Sequence, residues 1–263
     1  MKNILEEIYA HKLIEVRNRK KELSVQEICA RTKCQKTIKN FFESLLKKSE
    51  NGEIGLIAEI KKASPAHGLI RPDFNHLEIA KAYQNAHATC LSILTDEKYF
   101  MGKSQYLSEI NAATNLPILR KDFMVDTYQI FESKMLGASC VLLIVAMLSD
   151  EKLQELENCA FDAGLSVLIE IHNEEELQRA SRLKSKLIGI NNRDLKTLKV
   201  NLETSLLLAE KISSDYLIIS ESGIKDRADI ELLQQAGINC FLIGEHFMRQ
   251  KNIEKAVQEI LGN

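Results

Sequence analysis

Several large classes of protein are excluded by what this sequence lacks. No apolar run approaches the length needed to cross a bilayer, and Lys2, Glu6 and Glu7 interrupt the amino terminus where a secretory signal would be continuously apolar. Positive charge is not in excess: 35 Lys and Arg stand against 37 Asp and Glu, a net charge of −2, so no nucleic-acid surface is expected. Cys29, Cys34, Cys90, Cys140, Cys159 and Cys240 form no CxxC pair. Neither they nor His11, His67, His76, His87 and His246 show metal-ligand spacing, so no metal is expected. Cys90, Cys140 and Cys240 lie in or beside apolar runs and read as reduced packing residues. A cytoplasmic protein with a small-molecule partner follows, without nucleic acid or membrane; composition does not fix the oligomeric state, for which a monomer or weak homodimer is expected.

The 263 residues, 45% of them hydrophobic, suffice for one large α/β domain with an accessory segment. Residues 1–50 are helical by period: Ile4, Leu5 and Ile8 make one stripe, and Ile38, Phe41, Phe42, Leu45 and Leu46 another. The charged run from Lys12 to Glu22 between them reads as a solvated helix face, and Asn51-Gly52 ends the last helix. From Gly55 onward short apolar runs alternate with amphipathic segments. Strands are expected at 55–60, 89–94, 116–120, 139–145, 166–170, 187–191, 216–220 and 239–243. Helices are expected at 75–87, 103–114, 127–136, 149–163, 173–182, 201–212, 226–236 and 246–261. Cys140-Val141-Leu142-Leu143-Ile144-Val145 does not alternate polar with apolar, which suits a parallel sheet buried on both faces. Leu136-Gly137, Ala163-Gly164 and Ala236-Gly237 put glycine at helix ends. Eight such units favour a closed (β/α)8 TIM barrel over residues 51–263, and no Gly-x-Gly-x-x-Gly follows the first strand to suggest the open alternative.

In such a barrel the loops after the strands build the site, so polar residues at strand carboxyl ends read as functional. Glu59, Lys61, Lys121, Glu170, Asn191, Arg193, Glu221, Ser222 and Gly244 all occupy such ends. Any one alone is as readily an ion pair plugging the mouth, but nine in register are hard to dismiss. Glu59 and Lys61 are two apart and point the same way, whereas Lys62 points elsewhere. In Pro117-Ile118-Leu119-Arg120-Lys121-Asp122-Phe123, Lys121 follows the strand into the mouth while Arg120 and Asp122 pair within the wall. Asn191 and Arg193 offer planar groups suited to a carboxylate or ring substituent. Ser220-Glu221-Ser222-Gly223 and Ile243-Gly244-Glu245 stand where barrels commonly hold a phosphate, and Ser64-Pro65 adds a hydroxyl or an ordinary turn. His172 reads as part of a helix cap running into Asn173-Glu174-Glu175-Glu176.

These motifs resemble those of indole-3-glycerol phosphate synthase: Ile57-Ala58-Glu59-Ile60-Lys61-Lys62-Ala63-Ser64-Pro65, Pro117 through Phe123, Glu170 with Asn173-Glu174-Glu175-Glu176, Gly189-Ile190-Asn191-Asn192-Arg193-Asp194-Leu195, Ser220-Glu221-Ser222-Gly223-Ile224 and Leu242-Ile243-Gly244-Glu245. The resemblance runs from the amino-terminal helices to the last barrel unit. It implies an extra amino-terminal helical segment over the active-site mouth. It also implies cofactor-free ring closure of 1-(2-carboxyphenylamino)-1-deoxyribulose 5-phosphate to the indole, releasing carbon dioxide and water, in tryptophan biosynthesis. By the same resemblance Lys121 is the general acid, Lys61 and Glu170 the acid and base of the later dehydration, and Glu59 their support. Arg193 grips the carboxylate, and Asn191 and Glu221 surround hydroxyls and ring. Ser64, Ser222, Gly223 and Gly244 hold phosphate, and Phe123 with Phe100 forms an apolar wall or plain core. The chain departs from the family at Ala66 and His67, where a serine and a lysine are usual, and at Tyr99, where phenylalanine is common. Two other readings of the same residues are a sugar-phosphate isomerase and a non-catalytic binder of phosphate metabolites. Arg193 with two lysines argues for the carboxylate-bearing aromatic substrate.

Overall fold

The computed structural model describes residues 4–32, 39–195 and 197–262. Eight parallel strands close into a barrel: β1 (Gly55–Ile60), β2 (Cys90–Leu94), β3 (Ile118–Lys121), β4 (Cys140–Ile144), β5 (Ser166–Ile171), β6 (Leu187–Asn191), β7 (Leu217–Glu221) and β8 (Cys240–Ile243). Each pairs with its sequence neighbours, and β1 closes the ring against β8 through Gly55 opposite Cys240. The expected strands are all present, their ends shifted by a residue or two. Residues alternate between two apolar layers. Leu119, Leu142, Leu168 and Ile219 fill the barrel, while Val141, Leu143, Val167 and Ile169 face the helices. Both layers are buried, which is why the strands read as unbroken apolar runs.

The helices alternate with the strands: α4 (His76–Asn85), α5 (Ser104–Ala113), α6 (Thr127–Leu136), α7 (Asp150–Asp162), α8 (Glu174–Ala180), α9 (Glu203–Ala209), α10 (Arg227–Gln235) and α11 (Ile253–Leu261). Helix α6 shows how they are bounded: Asp126 and Gln129 form a capping box, and Gly137 leaves in the left-handed region at φ +95°. The last unit, expected as one helix over 246–261, is two. A short turn of helix at Glu245–Met248 stops before Asn252, whose side chain caps α11 by accepting from the Lys255 amide. Two small elements were not anticipated. A hairpin pairs Ala63–Ser64 with Gly68–Leu69, and a helical turn spans Glu97–Phe100, capped by Asp96.

Three helices precede the barrel: α1 (Ile4–Glu22), α2 (Val25–Thr32) and α3 (Phe41–Glu50). Only α1 lies over the mouth. Phe41 and Leu45 of α3 are fully buried at the opposite end, against Cys90, Cys140, Leu187, Leu217 and Cys240, the first residues of their strands. The expectation that the whole segment covers the mouth is corrected accordingly: the apolar stripe of α3 needs a dry socket, and the open end of the barrel provides it. Ile38 and Cys34 lie outside the described residues.

The charged run of α1 also differs from its reading as a solvated face. Lys12 is completely buried, with its ammonium 2.8 Å from Asp122, 2.9 Å from Asp96 and 3.0 Å from Glu15. Arg19 reaches Glu132 of α6 at 3.0 Å. Period alone marks Lys12 as polar; the carboxylates that accept it come from loops far away in sequence.

Candidate active site

The carboxyl ends of the strands open into a cavity of about 200 Å³. Its roof is Ile4, Leu5 and Ile8 of α1, and Leu142, Ile144 and Leu242 line it from within the barrel. Every site residue anticipated from sequence lines this cavity: Glu59, Lys61, Ser64, Phe100, Lys121, Phe123, Glu170, Asn191, Arg193, Glu221, Ser222, Gly223 and Gly244.

At the centre stands Lys121, the last residue of β3. Its ammonium is 3.1 Å from Glu170 and 3.7 Å from Glu221. Glu170 also accepts from Asn191 at 3.2 Å, and backbone register sets Glu170 beside Gly189 and Asn191 beside Glu221. Gly189 has a steric reason to be glycine, because a Cβ there would stand 2.2 Å from Glu221 Oε1. The second lysine, Lys61, pairs with Glu59 at 2.5 Å. Gly244 makes room for that carboxylate, since its own Cβ would meet Glu59 Oε2 at 2.2 Å. Each lysine thus has its own carboxylate partner.

Burial and charge set the protonation of the centre. Burial disfavours charge on Lys121, but Glu170, Glu221 and Glu59 outweigh it and hold the lysine above its ordinary range. Burial would raise Glu170; the charge of Lys121, together with His172 and Asn191, instead keeps it well below the usual carboxylate range. Glu221 moves the other way, pushed up to about 8 by burial, with Glu170 and Glu59 adding to the shift against the pull of Lys121. At neutral pH the centre therefore holds an ammonium, a carboxylate and a neutral carboxylic acid.

Around it, Ser222 and Gly223 are consecutive residues at positive φ, +67° and +91°, which turns the chain sharply after β7. Ser64 Oγ is buried and has no hydrogen-bond partner among the described residues. Arg193 is half-buried, 3.5 Å from Glu245, and donates to the Leu198 carbonyl at 3.2 Å. The rings of Phe100 and Phe123 lie 6.1 Å apart and tilted by 43°. Arg120 turns away into the wall, bonded to Asp122, Thr95 and Ser133, while Lys62 sits over the Phe74 ring.

Sequence reasoning missed four contributors. Lys12 ties α1 to Asp96 in the loop after β2 and to Asp122 in the loop that follows Lys121. Buried Asn192 bonds Ser220 Oγ and the carbonyls of Glu221 and Ser222, fixing the β7 turn. His172, set aside as a cap, has its ring against Glu170; Asn173 is the residue that caps α8. The signal for His172 was its two-residue spacing from Glu170, which puts both side chains on one side of the chain.

Among the described residues no group of three or more His, Cys, Asp or Glu is arranged to hold a metal ion, and no helix is long and apolar enough to cross a membrane. Cys29, Cys90, Cys140, Cys159 and Cys240 are free thiols. Fold and site together define a (β/α)8-barrel protein with a lysine–carboxylate cluster in a cavity at the carboxyl-end mouth.

Comparison with known proteins narrows the class. The family model for indole-3-glycerol phosphate synthase matches residues 5–260. Curated relatives of that name include one from Azospirillum brasilense, 48% identical over 249 residues (95% of this chain, 94% of the relative). Another, from Rhodospirillum rubrum, is 46% identical over 263 residues, the full length of both. The chain belongs to the indole-3-glycerol phosphate synthase family. Among solved structures, 3-hexulose-6-phosphate synthase aligns with a TM-score of 0.65 at 16% identity, over 80% of this chain and 99% of that one, a likeness of fold alone.

Proposed function

We propose that the cavity closes the indole ring of 1-(2-carboxyphenylamino)-1-deoxyribulose 5-phosphate, with Lys121 as the acid of the first step. The observation that carries this reading is the Lys121 ammonium held between Glu170 and Glu221 inside the cavity. As the carboxyl-bearing ring carbon attacks the ketone, negative charge grows on the ketone oxygen, and the ammonium donates its proton there. Loss of carbon dioxide then restores the aromatic ring. Arg193 holds the departing carboxylate until that point.

Dehydration follows. Lys61, steadied by Glu59, protonates the new hydroxyl, which leaves as water, and Glu170 takes the remaining proton from the forming ring. Neutral Glu221 and Asn191 donate to substrate oxygens. The buried, unpartnered Ser64 hydroxyl and the left-handed turn at Ser222-Gly223 support a phosphate seat, with Gly244 beside it. Phe100 and Phe123 flank the aromatic ring. Of the departures from family usage, Ala66 lines the cavity and His67 pairs with Glu245 beside Gly244. The reading includes a cytoplasmic setting.

The test is direct, because the chain contains no tryptophan and its own fluorescence does not mask an indole product. Purified protein is expected to raise indole fluorescence with that substrate and no additive. Folded protein without turnover refutes the reading. Lys121→Ala is expected to fold normally and lose about 10²- to 10⁴-fold in kcat, the usual worth of general acid catalysis.

A further inference from the structure

Glu170 and Ile171 are the last two residues of β5 and His172 follows it, so the chain alternates: Glu170 faces the cavity, Ile171 the helix layer, and His172 again the side of Glu170. The His172 ring is nine-tenths buried, with Nε2 3.4 Å from Glu170 Oε1. Its other nitrogen, Nδ1, is 3.0 Å from Glu176 Oε2. That oxygen also accepts the His172 backbone N–H at 2.9 Å, and Asn173 Nδ2 donates to the other oxygen of Glu176 at 2.8 Å. Glu176, on the first turn of α8, is thus locked and fixes the ring. The result is a carboxylate–imidazole–carboxylate row ending on the proposed base.

We propose that His172 is a positioning residue that holds Glu170 in place as a carboxylate throughout the reaction. The two oxygens of Glu170 have different neighbours: Oε2 accepts from Lys121, whereas Oε1 faces Asn191 and His172. Lys121 is positive only until it gives its proton to the ketone. After that step it no longer favours charge on Glu170, and burial still opposes that charge. His172 is then the cation left in contact with Glu170, at the stage when Glu170 must act as a base.

The surroundings of the ring sustain its charge. Toward the cavity it faces Glu170, with Lys121 and Glu221 behind. On the outer side Glu175, Glu176 and Arg179 come from α8, and Arg193, Asp194 and Lys199 from the loop after β6, in a polar crevice. Burial by itself disfavours an imidazolium, but the contacts with Glu170 and Glu176 outweigh it and push the ring up to about 10. Sequence hides this because His172 adjoins a well-formed helix cap.

The inference rests on Glu170 acting as the base, and its test keeps the two apart. His172→Gln retains a donor without charge; His172→Lys retains charge. For His172→Gln the expected results are KM within about twofold, kcat down about tenfold, and the acid limb of the kcat/KM profile moved up by about one unit, since one unit corresponds to tenfold. His172→Lys is expected to return that limb toward the wild-type position. If His172→Gln does not fold, Glu176→Gln reads the same contact from the other side, bringing an alkaline limb down in pH as the ring loses its charge earlier. Wild-type kcat with unmoved limbs in these variants overturns the proposal, as does a loss confined to KM. Glu170→Gln is the separate control: if it keeps wild-type kcat, the base assignment itself fails.

Discussion

Replacing Lys12 by alanine is the perturbation whose effect can be worked out most fully. The ammonium touches Asp122, Asp96 and Glu15 at 2.8, 2.9 and 3.0 Å in a site closed to solvent. Removing one partner of a buried ion pair typically costs about 3–5 kcal/mol, because the remaining charge is uncompensated. Asp122 keeps Arg120 at 3.2 Å and the Thr95 hydroxyl at 2.6 Å, and Asp96 keeps its bond to the Tyr99 amide, so the lower end, about 3 kcal/mol, is expected. For a chain of this size that is a fall in Tm of roughly 6–12 °C. The cheaper escape is local: α1 undocks, letting water reach the two carboxylates, and takes Ile4, Leu5 and Ile8 from the cavity roof. A thermal melt, steady-state kinetics and limited proteolysis of α1 therefore belong together. The expected result is a KM raised at least about tenfold and early cleavage within α1. A variant with unchanged Tm, KM and proteolysis would refute the reasoning. The pH dependence has a definite sign. Burial would raise Asp122, but Lys12 and Arg120 hold it well below the ordinary range, so its stabilisation is present above the unfolded value of about 3.9 and lost as pH falls through the folded one. Lys12 is held above its ordinary range despite burial, so its contribution is complete below about 10.4 and lost only as pH rises through the folded value. The Lys12–Asp122 contact is therefore intact across the neutral range and weakens only at the two extremes.

Three further outcomes are expected. Gly189→Ala pushes a Cβ against Glu221 Oε1 and Leu168, displacing Glu221, and lowers kcat at least about tenfold while Tm moves by a few degrees at most. Glu221→Gln keeps the donor but cannot ionise, so the decline of kcat/KM as pH rises through about 8 disappears in a pH–rate series. Phe41→Ala empties the socket at the far end and costs about 3–5 kcal/mol in urea unfolding, with kcat changed less than twofold, roughly, because the cavity is at the other end.

The barrel was legible because its strands carry unbroken apolar runs and its helices end on glycine, both local signals. Lys121, Glu170 and Glu221 were legible for the same reason: charges directly after buried strands have few destinations. What sequence could not convey is where partners come from. Lys12 looked solvated because Asp96 and Asp122 are more than eighty residues away in the chain, and no period relates them. His172 was lost to a nearer and stronger signal, the Asn173 cap. The division of the leading helices between the two ends of the barrel was equally invisible, since α1 and α3 are both simply amphipathic. Gly189 read as a strand glycine and Gly244 as part of a phosphate seat, although each makes room for a carboxylate on the neighbouring strand.

The docking of α3 has a consequence for how the chain is made. Phe41 and Leu45 leave the ribosome before any strand exists, yet their socket includes Cys240 on the last strand, which also closes the ring against Gly55. At about 5–20 residues per second, synthesis leaves this helix without its complete seat for on the order of ten to forty seconds. During that interval an apolar stripe meant for the interior must be sheltered by half-built neighbours or by a chaperone. The final strand therefore completes two tasks in one event, sealing the cylinder and giving a helix made long before it somewhere to rest.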